Sequence, residues 1–162
     1  MSLLFFIAAA IAVVATLLVI TELNTVHALL YMIVSLLSVA FIFFLLGAPF
    51  IAALEVIIYA GAIMVLFVFV IMMLNLGPQS IDQERQWFNL RSWPGIAILA
   101  AILLVELFLA LRSGATPANV AQLAPQQVAI SLFGPYLLGV ELASVLLLAG
   151  LVGVYHIGRH LR

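Results

Sequence analysis

Five long apolar runs leave this chain few ways to fold, because each is long enough to cross a lipid bilayer. A helix needs about 20 residues to span roughly 30 Å of hydrocarbon. Hydrophobic residues make up 68% of the chain and charged residues only 7%, too few to give a soluble domain of this size a polar surface. The sequence therefore predicts an all-α integral membrane protein with about five transmembrane helices. Residues 1–162 form a single transmembrane domain in this prediction. The predicted spans are at residues 3–20, 27–46, 50–74, 94–111 and 135–157.

The prolines agree with these boundaries. All six fall at or between the ends of the predicted spans, where they remove no internal helix hydrogen bond. The first apolar run, residues 3–20, lacks both a positively charged n-region before it and a small-residue cleavage site after it. It is therefore interpreted as a retained span and not as a signal peptide. Very short links predict that the first three spans pack as antiparallel neighbours, and longer polar connections follow at residues 75–93 and 112–134.

The arginines predict an orientation. With five spans, Arg85, Arg91, Arg159 and Arg162 share one side of the membrane, and Arg112 lies on the other. Cytoplasmic segments of membrane proteins carry an excess of Lys and Arg. We therefore expect the C-terminus in the cytoplasm and the N-terminus outside.

Composition also excludes several kinds of site. The chain has no cysteine, which excludes thiolate-bound iron–sulfur clusters, cysteine zinc sites and a thiol nucleophile. It has no Gly-x-Gly-x-x-Gly segment for a dinucleotide. Lysine is missing as well, so no basic patch could follow a nucleic-acid backbone. We predict no metal, no cofactor and no nucleic acid bound by this chain, and the lipid bilayer as its surroundings.

The third span carries the most informative polar residues. Glu55 lies inside the apolar run, where a carboxylate is costly and most often functional. Tyr59 follows four residues later and shares its helix face. The pair is predicted to handle protons or water, although both side chains could instead reach the membrane interface.

Small side chains then occupy the middle of that span, with Gly61 between two alanines. Close helix packing explains them most simply. A second reading is a π-bulge, an insertion that often marks functional points in helices.

Other polar residues in or near the spans have several possible roles. Glu141 is a further candidate for the water path, and Glu106 a weaker one because it could extend to the nearby span end. His27 and His156 are predicted to cap helices or lie at the interface. Three serines, Ser35, Ser38 and Ser144, are expected to bond first to their own helix backbone.

A resemblance adds to this. Residues 24–31, 47–50 and above all 55–75, with Tyr-Ala-Gly-Ala-Ile-Met-Val-Leu-Phe-Val-Phe-Val at its centre, closely resemble the J subunits of bacterial respiratory complex I, the proton-pumping NADH:quinone oxidoreductase. Shorter segments at residues 84–87, 132–136 and 140–144 extend the likeness over most of the chain. It is weakest between residues 99 and 128.

The resemblance implies a translocase subunit in the bacterial inner membrane, next to A-, H-, K- and N-type subunits. It implies that FMN, iron–sulfur clusters, NADH and quinone are bound by other subunits, and that this chain has no redox centre or catalytic residue of its own. It also implies a π-bulge over residues 59–65 that can convert to α-helix. The residues of this predicted gate are Tyr59, Ala60, Gly61, Ala62, Ile63, Met64, Val65, Phe67 and Val68.

Loss of such a bulge would turn the following helix by roughly 100°, the rotation per residue of an α-helix. We expect this rotation either to open a chain of water molecules between the quinone cavity and the antiporter-like subunits or to empty that path of water. Two other readings stay open: a subunit of a multi-subunit cation/proton antiporter, and a passive assembly scaffold.

Overall fold

The computed structural model describes residues 3–74, 93–112 and 123–160, and within these ranges every regular element is a helix. Helix α1 spans Leu3–Thr21 and α2 spans Thr25–Leu45. Helix α3 covers residues 49–74 in three consecutive parts, namely α-helical Pro49–Leu54, π-helical Glu55–Ile63 and α-helical Met64–Leu74. The remaining helices are α4 at Pro94–Arg112, α5 at Pro125–Phe133 and α6 at Leu137–His160.

Five of these helices are long and apolar enough to cross a membrane, namely α1, α2, α3, α4 and α6. The predicted fold class and the five spans are confirmed, with ends that differ by a few residues. Helix α5 was not predicted, because it lies in a segment treated as a polar connection. Arg85 and Arg91 in the connection after α3 lie outside the described residues, as does Arg162.

Local chemistry fixes the ends of α2. The Asn24 side chain caps its start, and Oδ1 accepts hydrogen bonds from the backbone N–H groups of Val26 at 3.0 Å and His27 at 3.3 Å. At its end Gly47 adopts φ 81°, and the N–H of Ala48 bonds to the Phe43 carbonyl at 3.0 Å. This left-handed glycine closure reverses the chain within three residues. It places α3 beside α2 as an antiparallel neighbour.

The first compact unit, described over residues 3–74 and 93–112, is built on α2. Helices α1 and α4 both pack against α2 and against each other, and they share one apolar core. Thr16 of α1 and Ser35 of α2 bond through their hydroxyls at 2.9 Å, and the Ser35 hydroxyl also donates to the Ala12 carbonyl at 3.1 Å. The buried core residues are Ala8, Ile11, Ala15, Tyr31, Val34, Phe41, Ile96, Leu103 and Ala110.

Helix α3 runs along another side of α2, and all three of its parts contact that helix. Between α2, α3 and α4 lies an open apolar groove of about 550 Å³. Its walls include Phe41 of α2, Ala52 of α3 and Leu103 of α4. The first three spans are therefore antiparallel neighbours, as predicted.

The second compact unit, described over residues 123–160, consists of α5 and α6. Pro125 begins α5, and the Gln127 side chain accepts a hydrogen bond from the Ala124 N–H at 3.3 Å. A turn at residues 134–136 follows, in which the Tyr136 N–H bonds to the Ser131 carbonyl at 3.1 Å. This turn moves the start of the last span to Leu137, two residues later than predicted.

Candidate functional site in the third helix

The middle of α3 is wound as a π-helix over Glu55–Ile63. The Glu55 N–H still reaches the carbonyls of Ile51 and Ala52, as in an α-helix. At the other end the Met64 N–H reaches the carbonyl of Tyr59, five residues back. Nine residues exceed the single π-turn usual in proteins, and such insertions concentrate at functional sites. The π-winding is the most distinctive backbone feature of the chain.

The position of this segment differs from the predicted bulge at residues 59–65. The π-helix begins four residues earlier, at Glu55, and ends at Ile63, so Met64 and Val65 belong to the following α-helix. An apolar run has the same composition in either winding. The sequence therefore carries little information about where the hydrogen-bond pattern changes.

Gly61 is suited to the wide turn. A β-carbon at this position would lie 3.1 Å from the carbonyl oxygen of Val56, closer than ordinary van der Waals contact. That carbonyl is five residues back, the position that a π-turn brings close. Glycine avoids this crowding, and a larger residue here would require the Val56 carbonyl to shift by a few tenths of an ångström.

The acid and the phenol of this segment are both within reach of surrounding molecules. Glu55 is half-buried, and Tyr59 is 48% exposed. Within the described residues no side-chain hydrogen bond joins them. The structure thus places both on the π-helix without a direct bond between them.

The predicted gate residues differ in their surroundings. Met64 is 2% exposed, and it begins the α-helical part of α3 that packs along α2. Val65 and Phe67 are largely exposed, and Val68 is half-buried. Among the small residues before them, Ala60, Gly61 and Ile63 are half-buried and Ala62 is exposed. Met64 is thus the buried contact that a turn of the helix would move.

Glu141 belongs to α6 in the second unit, and its side chain is exposed there. The Ser144 hydroxyl donates to the backbone carbonyl of Glu141 at 2.7 Å. Ser144 therefore bonds within its own helix, as predicted. Ser35 does not, because its hydroxyl bonds across to α1.

Sequence reasoning misplaced three polar side chains of the first unit. His27 was expected to cap α2 or lie at the interface, but it is 2% exposed and its ring meets that of Trp93 edge to face, with centroids 6.1 Å apart. Glu106 does not extend to the span end, since it is 3% exposed. Ser38 is fully buried and, in the described part of the chain, has no partner for its hydroxyl. The sequence carried no clear signal for their burial, since the residues around them on α2 and α4 are nearly all apolar and no face of either helix stands out.

Among the described residues, no group of three or more His, Asp or Glu side chains is placed to hold a metal ion.

Comparison with known proteins gives one consistent result. The sequence profile of the family described as NADH-ubiquinone/plastoquinone oxidoreductase chain 6 matches residues 15–157. The chain is 58% identical over 157 residues to NADH-quinone oxidoreductase subunit J of Pseudomonas aeruginosa, covering 96% of this chain and 95% of the relative. It is 56% identical over 160 residues to the Escherichia coli protein of the same name, covering 98% and 86%. The protein of that name from Buchnera aphidicola subsp. Schizaphis graminum is 51% identical over 160 residues, covering 98% of both chains.

Proposed function

The chain belongs to the NADH-ubiquinone/plastoquinone oxidoreductase chain 6 family, and on that premise we propose that it is a membrane subunit of a proton-pumping NADH:quinone oxidoreductase. Its five membrane-crossing helices suit a place in the membrane part of such a complex. The absence of cysteine suits a subunit that leaves electron transfer to others. FMN, iron–sulfur clusters, NADH and quinone are then bound by other chains.

The nine-residue π-helix in α3 is the observation that carries the mechanistic proposal. Conversion of this segment to α-helix turns residues 64–74 by about 100°. Met64 then leaves its buried place along α2, and Val65, Phe67 and Val68 present other faces to the neighbouring subunit. This rotation opens or closes a water path between quinone reduction and proton transfer.

Glu55, Tyr59 and Glu141 are the proposed polar points of that water path. Glu55 and Tyr59 lie on the segment that changes its winding, so a rewound helix also changes where their polar atoms point. Both are open to a partner helix or to water. The Glu141 side chain, on α6, is exposed and can likewise contact a partner helix or water.

The proposed location is the bacterial inner membrane, with the N-terminus outside and the C-terminus in the cytoplasm. The proposed neighbours are the A-, H-, K- and N-type subunits of the complex. Long apolar side chains cover the lipid- or partner-facing sides of the helices, including Leu66, Phe69 and Met72 of α3. A surface of this kind requires lipid or other membrane subunits around it.

The gate is tested by Gly61→Ala and Gly61→Leu in the intact complex. Since a β-carbon at residue 61 would lie 3.1 Å from the Val56 carbonyl oxygen in the π-winding, we expect both changes to favour α-helix. We expect NADH oxidation and complex assembly to fall less than twofold for Gly61→Ala, and proton transfer per electron to fall several-fold. Gly61→Leu has the larger effect. Proton uptake and NADH oxidation are measured together in proteoliposomes.

Gly150→Ala in α6 is the matched control, because a β-carbon there meets no atom within 4 Å. It should leave the ratio of protons to electrons unchanged. An unchanged ratio in both Gly61 variants would instead favour the passive scaffold. Purification without flavin, iron–sulfur absorbance or NADH-dependent quinone reduction would favour an antiporter subunit.

A further inference from the structure

Three buried side chains in the first unit have polar atoms without a hydrogen-bond partner among the described residues: His27 at Nε2, Ser38 and Glu106. The last two lie deeper along their helices, away from the Trp93 ring that His27 meets. Glu106 of α4 is 3% exposed, and neither of its carboxyl oxygens is bonded. Ser38 of α2 is fully buried, and its hydroxyl is unbonded as well. Buried polar groups nearly always find a partner, in protein or in ordered water. Both side chains therefore call for a partner other than the described residues, such as an ordered water.

Both side chains point into the same core. Glu106 follows Leu103 by one helical turn, and Leu103 belongs to the core shared by α1, α2 and α4. Ser38 lies between Val34 and Phe41 on α2, which belong to that core too. Residues three and four apart share a helix face. The carboxyl and the hydroxyl thus face the interface of α2 with α4.

The helix register puts them at nearly the same depth. Helices α2 and α4 run in parallel, because His27 meets Trp93 near both starts and the Tyr31 hydroxyl abuts Gly95. At about 1.5 Å per residue, Ser38 lies roughly 16 Å beyond His27 and Glu106 roughly 20 Å beyond Trp93. The difference is less than one helical turn.

No positive charge of the first unit's described helices lies at this depth. Helix α1 has no charged residue, and the titratable groups of α2 on this face are His27 and Tyr31, both nearer its start. Arg112 is at the end of α4 and lies over the Phe108 ring, 5.2 Å from its centroid. The nearby Ser35 hydroxyl is already engaged with Thr16 and Ala12. Ion pairing within these helices therefore does not satisfy Glu106.

We propose that Glu106 and Ser38 bind a water molecule inside the core of α1, α2 and α4. A buried water needs two to four polar partners, and the two carboxyl oxygens with the serine hydroxyl provide three. The serine hydroxyl donates to the water oxygen, and the water donates to the carboxyl group. This hydration site is built from side chains of α2 and α4, and the proposal does not depend on any rewinding of α3.

The direct test is a high-resolution structure of the intact complex. We expect a density peak within about 3 Å of both the Ser38 hydroxyl and a Glu106 carboxyl oxygen. The peak should persist in Glu106→Gln, which keeps an oxygen at the site, and disappear in the Ser38→Ala, Glu106→Leu double variant. A dry core, or a Glu106 carboxyl bonded to a cation of a neighbouring subunit, would overturn the proposal.

A second test needs no structure. If water links the two side chains, Ser38→Ala should lower the temperature at which the complex loses this subunit when Glu106 is present. It should have little effect in a Glu106→Leu background. Ser35→Ala is the matched control, since its hydroxyl bonds to α1 and should matter equally in both backgrounds. Equal shifts for Ser38→Ala in both backgrounds would contradict a shared water.

Discussion

Gly95 shows how a single hydrogen in place of a side chain lets two helices approach. It lies near the start of α4, directly against the hydroxyl of the buried Tyr31 of α2. A β-carbon at this position would overlap that hydroxyl. In membranes such small residues determine how close two helices can pack, because lipid provides no hydrophobic force between them.

Gly95→Ala is therefore expected to destabilise the packing of α4 on α2 by about 1–3 kcal/mol, the usual cost of overpacking a core. Tyr31→Phe removes the oxygen that the new methyl group meets, so the double variant should recover most of the loss. The measurement is the thermal midpoint at which this subunit leaves the purified complex. An equal loss with and without the Tyr31→Phe change would mean that another contact limits the approach.

Single residues were also where sequence reasoning was weakest. The side chain of Glu106 could be assigned to an interface as easily as to a core, because nearly all its neighbours on α4 are apolar and no face stands out. Its burial follows only from the position of α1 and α2. His27 was expected to cap a helix or lie at the interface because it is near a span end, although its ring packs on Trp93.

The hydroxyls of Thr16 and Ser35 form a hydrogen bond that joins α1 to α2. Its contribution to stability can be measured as a coupling free energy between the two residues. A double-mutant cycle with Thr16→Val and Ser35→Ala should give a coupling of about 0.6 kcal/mol, the average measured between membrane helices. Thr21→Val is the control, because the Thr21 hydroxyl bonds within α1 to the Leu17 carbonyl. A zero coupling for the first pair would show that the bond adds nothing to the helix contact.

Elements were predictable to different degrees. The five spans follow from hydropathy and from the positions of proline, since both reflect what a bilayer demands of a backbone. The short helix α5 was missed because it is too short and too polar to resemble a span. The presence of a π-segment was expected from the resemblance, but its start at Glu55 depends on hydrogen bonds that residue types do not encode.

For the whole molecule, the positions of the helices do not determine which side of the membrane each terminus lies on. The absence of cysteine makes it measurable, because a single introduced thiol is the only one in the chain. Cysteines in place of Ser2 and Arg162, both outside the described residues, can be treated with a membrane-impermeant thiol reagent in spheroplasts. The four-to-one distribution of arginines predicts labelling at residue 2 in intact spheroplasts.

Labelling at residue 162 should appear only after the membrane is permeabilised. Permeabilised samples labelled at both positions show that each thiol is reachable. The reverse pattern would put the C-terminus outside.

The π-helix in α3 also affects which one-residue deletions the protein can tolerate. A π-turn holds a surplus residue compared with an α-turn, so the loss of one codon between residues 55 and 63 could be absorbed by tightening the helix. The same deletion elsewhere in this span would rotate all following residues of the helix by about 100° about its axis. Shortening by one amino acid at this place would leave Met64 and its successors aimed as before.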